Sequence, residues 1–191
     1  MVKEKRLAAC YLCEERDPPV HPLFIIFEEF KEGCEVFVET GTHYGDAVQI
    51  ALDLGFKKLH SVEMAHPLAE HSKDRFKEAD NVFIVEGRSE QFLVDLIPTL
   101  KKRCLFWLDA HGEGGGNPAI EEINIIAGSK IKNHVIIIDD IPTSYTDNQE
   151  ALMSAILKIN SEYKFTWAQT LKDGPEDYVL IAYHEKSKQE I

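Results

Sequence analysis

Hydrophobic runs and amphipathic segments alternate along this chain of 191 residues. Seven short runs, rich in β-branched and aromatic residues, predict strands: EVFVE (35–39), KLHSVEM (58–64), NVFIVEG (81–87), CLFWLDAH (104–111), HVIIIDDI (134–141), YKFTWAQT (163–170) and DYVLIAYH (177–184). The segments between the first six runs repeat apolar residues at helical spacing, such as Val48, Ala51 and Leu52 after the first run. This alternation predicts an α/β fold in which βαβ units form a parallel sheet.

The two ends of the pattern depart from the alternation. The last two strands are joined only by LKDGPE, a short Gly-Pro connection, so we expect an antiparallel hairpin at the sheet edge. Ahead of the first strand, Phe24, Phe27 and Phe30 share one face of a predicted helix, which we expect to cover an edge of the sheet. We expect a single domain over residues 1–191, with an N-terminal arm at residues 1–22.

Four of the predicted strands finish in acidic residues. These are Glu39, Glu63, Asp109, and the pair Asp139 and Asp140. In an open parallel sheet the carboxyl ends of the strands line the ligand crevice, so these five carboxylates are expected to converge. One acid after a strand fits the cap of the next helix equally well. Their repetition at one edge of the sheet favours a binding site.

The loop after the first strand reads E-T-G-T-H-Y-G and contains Gly41 and Gly45. Missing side chains at these positions would let a ligand approach the backbone N–H groups and the helix N-terminus. The spacing lacks the G-x-G-x-x-G of a dinucleotide site. Glu39 would repel a pyrophosphate and attract a cation, whereas Glu63 lies where a carboxylate accepts ribose hydroxyls. The pattern therefore favours a ligand with a ribose and a positive charge but no phosphate.

In these motifs the chain resembles class I S-adenosylmethionine-dependent methyltransferases. Their first motif, an acid before a glycine-rich turn, is matched by Glu39, Gly41 and Gly45, although His43 stands where many members have another glycine. Their ribose-binding acid is matched by Glu63. Their third motif, usually Gly-Asp, is matched only in part by the E-G-R-S segment at 86–89.

This resemblance covers about residues 24–184 and has consequences for fold and cofactor. It implies a Rossmann-like, mostly parallel sheet of seven strands in the order 3-2-1-4-5-7-6, with the last strand antiparallel and helices on both faces. It also implies a site for S-adenosyl-L-methionine. The implied cofactor-binding residues are Glu39, Gly41, Thr42, His43, Gly45, Glu63, Met64, Arg88, Ser89 and Asp109.

A second set of acids indicates a metal ion. Asp109, Asp139 and Asp140 end adjacent strands, where carboxylates repel one another unless they are protonated or bound to a cation such as Mg²⁺. Here the chain resembles the metal-dependent O-methyltransferases of the catechol and macrocin type, which implies these three residues as Mg²⁺ ligands. The alternative is that the acids only cap the turn before Pro142 and the segment after Asp109.

The O-methyltransferase resemblance implies a small hydroxylated acceptor, of the sugar or natural-product type, whose hydroxyl is activated by the metal. Asp109 and His111 are the candidate catalytic residues, with His111 as general base and His43 as a weaker second choice. The catechol-type enzymes have a lysine near this position that this chain lacks, so the base stays open. The following GEGGGNP segment fits either a mobile lid or a surface loop.

Composition narrows the partners. The 33 acidic and 21 basic residues give a net charge of −12 at pH 7, which disfavours nucleic acid and anionic membranes. Charged residues interrupt the N-terminus before any signal-length apolar run, and no run reaches the roughly 20 residues of a membrane span, so a cytoplasmic protein is expected. The arm could pair with a second subunit in a homodimer. Cys10 and Cys13 form a C-x-x-C without the second half of a zinc site.

Two other functions stay open at this point. A nicotinamide-dependent oxidoreductase would use a related fold, although the missing third glycine of the dinucleotide motif argues against it. A non-catalytic module could bind the cofactor or a partner without turnover, which a fold alone does not exclude.

Overall fold

The structure is a computed structural model that describes residues 6–7, 21–111, 118–139, 149–170 and 178–185. Its strands are β1 (Arg6–Leu7), β2 (Val36–Thr40), β3 (Lys58–Glu63), β4 (Val82–Glu86), β5 (Cys104–Leu108), β6 (Val135–Ile138), β7 (Lys164–Gln169) and β8 (Tyr178–Tyr183). The α-helices in this part of the chain are α1 (Pro22–Phe30), α2 (Asp46–Asp53), α3 (His66–Arg75), α4 (Ser89–Leu96), α5 (Ala119–Ile126) and α6 (Gln149–Ile159).

All these strands form one sheet in the order β1-β7-β8-β6-β5-β2-β3-β4. Without β1, this is the predicted order 3-2-1-4-5-7-6. Strand β8 is antiparallel to both β6 and β7, and the other neighbours are parallel, so the predicted sheet is confirmed. The added strand β1 comes from the predicted N-terminal arm and pairs in parallel with β7 of the same chain.

Helices cover both faces of the sheet, as predicted. On one face α4, α5 and α6 pack over a core that includes Phe106 and Ile136. On the other face α1 and α2 pack over a core that includes Phe37 and Trp107. Strands β5 and β6 are buried along their whole length, which explains their unbroken apolar sequences. None of the helices described above is long and apolar enough to cross a lipid bilayer.

One helix lies elsewhere than predicted, and another is interrupted as predicted. Helix α1 was expected at a sheet edge, but the ring of Phe27 lies 5.3 Å from that of Phe37 and 5.5 Å from that of Trp107, between centroids. Because β2 and β5 are central strands, α1 covers the middle of its face. The sequence from Ser89 to Leu100 predicts a helix interrupted by Pro98; the helix ends at Leu96 and continues as a 3₁₀ turn around this proline, which has no N–H to donate.

Candidate functional site

The fold brings predicted site residues together at the carboxyl edge of the sheet. Strands β3, β2, β5 and β6 are neighbours, so the acids that end them lie side by side. These acids are Glu63, Glu39, Asp109 and Asp139. Backbone hydrogen bonds extend the pairing of β2 with β5 and of β5 with β6 by one residue beyond the strand ends. Asp109 N–H donates to Thr40 O, and Asp139 N–H donates to Leu108 O, both at 3.0 Å. The fifth predicted acid, Asp140, lies outside the described residues, as do 112–117 of the glycine-rich segment and the Cys10 and Cys13 pair.

A buried polar cluster, here called the loop-side cluster, consists of Glu39, Thr42, Ser61 and Glu63. The Ser61 hydroxyl donates to Glu39 Oε2 and is also hydrogen-bonded to the Thr42 hydroxyl. Glu39 is only 1% exposed. Burial raises its pKa well above the usual range; the bond from Ser61 opposes this shift, and the charge of Asp109 adds to it. A cation bound near Glu39 would therefore favour its carboxylate form, and an anion would oppose it.

Glu63 fixes the backbone on both sides of the site. Its Oε2 accepts the N–H of His43 at 2.8 Å, and its Oε1 accepts the N–H of Ala65 at 2.9 Å. The first bond holds the glycine-containing loop, and the second holds the residue that precedes α3. Each carboxylate oxygen has a second lone pair, so Glu63 can still accept a ligand hydroxyl.

Both glycines of the loop are required by packing within the protein. Gly41 has φ 87°, and a Cβ on it would lie 2.4 Å from the carbonyl oxygen of Asp109. Gly45 has φ 84°, and a Cβ on it would lie 2.6 Å from the ring of Phe76. The sequence pattern suggested open space for a ligand at both positions. The side of each glycine where a side chain would stand is instead filled by the protein, which seats the loop against the end of β5.

His43 adopts a backbone conformation that favours glycine. Its φ is 50°, a left-handed value that L-residues adopt at some cost. This explains why another glycine is common here in the methyltransferases that the chain resembles. The His43 ring packs edge-on against Tyr44, which is 50% exposed and also contacts the ring of His71. The outer surface of the loop is therefore aromatic.

The other predicted cofactor residues flank the loop-side cluster. Met64 follows Glu63 and is exposed. Arg88 is the N-cap residue of α4, and its guanidinium donates to Glu90 Oε1 at 2.9 Å. Ser89 begins α4 and is buried.

A second buried polar cluster, here called the helix-side cluster, consists of Thr40, Ser89 and Glu122. Thr40 lies on the same face of β2 as Val36 and Val38, which is the face covered by α4 and α5. Glu122 is 1% exposed, and Thr40 is fully buried. Glu122 Oε1 and Thr40 Oγ1 have no partner with hydrogen-bond geometry among the residues that the structure describes.

Burial raises the pKa of Glu122 to about 7. The hydroxyls of Ser89 and Thr40 lie near enough to lower it, and the charges of Glu90 and Asp109 raise it further. The nearby Thr40 hydroxyl does not complete a bond of good geometry, so Glu122 Oε1 has no donor within the described ranges. This carboxyl group of α5 therefore lies beside Ser89 of α4 and Thr40 at the end of β2, close to the predicted cofactor site.

Sequence reasoning missed Glu122, Ser61 and Thr40. A signal for Glu122 was present, because Ala119, Ile123 and Ile126 form the buried face of α5 and Glu122 falls on that face. Ser61 likewise interrupts an inward-facing series in β3. A buried polar residue within an apolar face is more informative than an acid after a strand.

Two of the three predicted Mg²⁺ ligands, Asp109 and Asp139, end the neighbouring strands β5 and β6. Asp139 is buried, and Asp109 is partly exposed. The predicted base His111 is 48% exposed, with its Nε2 3.5 Å from Asp109 Oδ1. The acids provide hard oxygen donors of the kind that Mg²⁺ takes.

A different group of three potential metal ligands lies on the surface. Within the described ranges, His66, Glu70 and Glu86 are the one such group whose ligand atoms lie within 4.8 Å of one another. Lys73 is 2.8 Å from Glu70 and 3.6 Å from Glu86, between Nζ and the carboxylate oxygens. His66 Nδ1 is 3.0 Å from Glu86. This arrangement is accounted for as an exposed ion-pair network.

No protein-family model matches the chain, and no curated protein matches it by sequence. Solved structures do match. The O-methyltransferase TomG from Streptomyces achromogenes, involved in tomaymycin synthesis and solved with SAM, is 15% identical with a TM-score of 0.61, over 92% of this chain and 86% of that one. An O-methyltransferase from Bacillus cereus, solved with SAH, is 16% identical with a TM-score of 0.60, over 92% and 88%.

An rRNA methylase from Streptococcus thermophilus is also similar, at 13% identity and a TM-score of 0.59, over 88% of this chain and 97% of that one. At such identities the likeness establishes the fold, which is that of class I methyltransferases. The acceptors implied for these proteins differ, so the fold leaves the acceptor undetermined.

Proposed function

We propose that this protein is a methyltransferase that uses S-adenosyl-L-methionine and transfers its methyl group, with the help of Mg²⁺, to a hydroxyl oxygen of a small molecule. The observation that carries this proposal is the convergence of Glu39, Glu63 and Asp109 at the carboxyl edge of a methyltransferase-type sheet. An edge lined by these acidic groups suits a ligand that brings positive charge, because a cation there favours the carboxylate forms.

The residues at this edge fit the cofactor. Glu63 has lone pairs left for the two ribose hydroxyls, and a sulfonium bound beside the buried Glu39 would favour its carboxylate form. When bound, the cofactor supplies an electrophilic methyl group on a positively charged sulfur. The further residues that would hold it are Gly41, Thr42, His43, Gly45, Met64, Arg88, Ser89 and Asp109.

Asp109, Asp139 and Asp140 are the proposed ligands of Mg²⁺. The ends of β5 and β6 place the first two on neighbouring strands, and Asp140 follows in sequence. A bound Mg²⁺ supplies a Lewis acid that lowers the pKa of an acceptor hydroxyl. Without a cation, acids at adjacent strand ends would only repel one another.

His111 is the proposed general base. It is exposed enough to meet an acceptor, and its Nε2 lies 3.5 Å from Oδ1 of Asp109, one of the proposed metal ligands. Removal of such a base typically costs about 10² to 10⁴ in rate. The net charge of −12 favours a small acceptor over the RNA on which the fold neighbour from Streptococcus acts.

Calorimetric titration of the protein with S-adenosylhomocysteine, and separately with NAD, tests the cofactor. We expect binding of the first only, and at least a tenfold loss of affinity in Glu63→Gln, because an amide nitrogen cannot accept the bonds that the carboxylate accepts. Glu70→Gln, an exposed acid on α3, is the matched control. Binding of NAD in preference to S-adenosylhomocysteine would exclude the proposal.

Methyl transfer to a panel of hydroxylated acceptors, with and without EDTA, tests the chemistry. We expect turnover that EDTA abolishes, and a reduced kcat in His111→Ala that does not depend on pH near neutrality. Cofactor binding without transfer to any acceptor would favour a binding module instead. Near-normal kcat/KM in His111→Ala across pH would exclude His111 as base.

A further inference from the structure

Glu122 is a buried hydrogen-bond acceptor that the described part of the chain leaves unused. Its Oε1 has no accessible surface and no partner in that part. Buried carboxyl oxygens in folded proteins are almost always hydrogen-bonded, and an unpaired one costs free energy. Thr40 Oγ1, beside it, is in the same condition. Two adjacent unused polar atoms indicate a group that completes them.

The location of this cluster connects it with the candidate cofactor site. Ser89 ends the short loop after β4, and Gly87 in this loop donates its N–H to Glu63 O at 2.9 Å. Thr40 is the last residue of β2 and accepts the N–H of Asp109 through its carbonyl. Glu122 thus lies beneath two loops that belong to the site, on the face opposite to Glu39.

We propose that Glu122, supported by Thr40 and Ser89, binds an amino group of the nucleoside cofactor and contributes to its recognition. This inference rests on the proposed function. A carboxyl oxygen accepts from an N–H donor, and no residue that the structure describes donates to Glu122 Oε1 with hydrogen-bond geometry. The cofactor offers two amino groups, the 6-amino group of the adenine and the α-ammonium of its amino-acid portion.

The charge of the surroundings agrees with this assignment. Glu122 lies near the acids Glu90 and Asp109, which oppose its ionisation. An amino donor supplies positive or partial positive charge where the chain places negative charge, and so it favours the carboxylate form. An anionic group of the ligand would be repelled here.

The test is a set of calorimetric titrations with three ligands: S-adenosylhomocysteine, its analogue without the 6-amino group, and its analogue without the α-amino group. The proteins are the wild type, Glu122→Met, which keeps the length but removes the acceptor, and Glu122→Gln, which keeps one acceptor oxygen. Glu121→Met is the matched control, since Glu121 is the exposed neighbour on the same helix.

We expect Glu122→Met to weaken S-adenosylhomocysteine binding by about tenfold or more, Glu122→Gln to retain most of it, and Glu121→Met to change nothing. For the analogue that lacks the contacted amino group, wild type and Glu122→Met should bind alike, because the interaction is already absent. The analogue for which wild type and Glu122→Met have the same affinity is the one that lacks the bound amino group, so the titrations identify that group.

The proposal is overturned if Glu122→Met weakens the binding of both analogues by the same factor as it weakens the binding of S-adenosylhomocysteine. The substitution and the missing amino groups would then act independently of one another. Thermal unfolding of each variant without ligand checks folding, and Glu122→Ala replaces Glu122→Met in the same titrations if the latter does not unfold cooperatively. If the wild type does not bind S-adenosylhomocysteine at all, the proposed function fails and this inference falls with it. If the wild type binds normally and Glu122→Met binds equally well, only the inference fails.

Discussion

The loop-side and helix-side clusters lie on opposite faces of the same strand ends, yet their hydrogen bonding differs. Glu39 receives the hydroxyl of Ser61, and Glu63 receives two backbone N–H groups. Glu122 keeps an oxygen that no described residue reaches. The acids of the first cluster hold the chain's own loop in place in addition to their proposed role in binding the cofactor, whereas the second cluster leaves an acceptor for something outside the chain.

The difference begins with one step along β2. Glu39 and Thr40 are consecutive, and side chains alternate along a strand, so the first points to the α1 and α2 face and the second to the α4 and α5 face. Both neighbourhoods are buried and both contain a carboxyl group with a raised pKa. Burial and a raised pKa therefore do not tell an acid that receives a hydrogen bond from the protein, such as Glu39, from one whose oxygen has no described donor, such as Glu122; the hydrogen bonds do.

The largest effect on stability is expected from Gly41→Ala, which introduces a side chain into the loop held by the loop-side cluster. A Cβ would meet the Asp109 carbonyl oxygen at 2.4 Å, and φ 87° already disfavours an L-residue. We expect the free energy of unfolding to fall by about 3 kcal/mol or more, measured by urea denaturation.

Gly55→Ala is the matched control for this substitution. Gly55 has φ 79°, but a Cβ there would meet no atom within 4 Å. Gly55→Ala should therefore lower the free energy of unfolding by only about 1 kcal/mol, which is the cost of a left-handed backbone conformation at an L-residue. Equal losses at the two glycines would mean that the loop can move away from β5 and is not held as the structure indicates.

The second prediction concerns Glu122 and pH. Its pKa is about 7 in the folded protein and near 4.5 when unfolded, so between these values the folded state keeps a proton that the unfolded state loses. The stabilisation is complete below about pH 4.5 and is lost as the pH rises through about 7. The free energy of unfolding should fall over this window by up to about 3 kcal/mol.

Glu122→Gln removes this contribution and should flatten the dependence of unfolding free energy on pH. Glu39 acts in the same direction, since burial raises its pKa as well, so part of the slope should remain. Glu39→Gln, measured alongside, separates the two contributions. An unchanged slope in Glu122→Gln would show that its carboxyl group ionises as freely in the folded protein as in the unfolded chain.

Local pattern was sufficient to predict the sheet. Apolar runs mark the strands, the absence of a helix in LKDGPE marks the antiparallel pair, and both are properties of contiguous sequence. The convergence of the acids follows from parallel strands alone. In contrast, β1 pairs through only two residues, which is too short a segment to carry a periodic signal.

The contacts that the site residues make within the protein could not be predicted without the tertiary structure. The reason for Gly41 is the approach of Asp109, a residue 68 positions away in sequence, and no local pattern contains that distance. The sequence did not single out Glu122 for a related reason. A single acid on the apolar face does not disturb the pattern of an amphipathic helix, so Glu122 was not recognised as buried. Whether an acid has a partner depends on which elements pack over it.

The smallest effects come from a matched pair of hydroxyl deletions, one in each cluster. Ser61→Ala removes the link between Glu39 and Thr42 and leaves both without it, so we expect a loss of about 1 to 3 kcal/mol in urea denaturation. Thr40→Val removes a buried hydroxyl for which the described part of the chain provides no well-aligned partner, and replaces it by a methyl of similar size, so the change should stay within about 0.5 kcal/mol or favour folding. A loss in Thr40→Val as large as that in Ser61→Ala would mean that Thr40 does bond to Glu122. The two clusters would then be equally complete, and Glu122 would have no acceptor to offer a ligand.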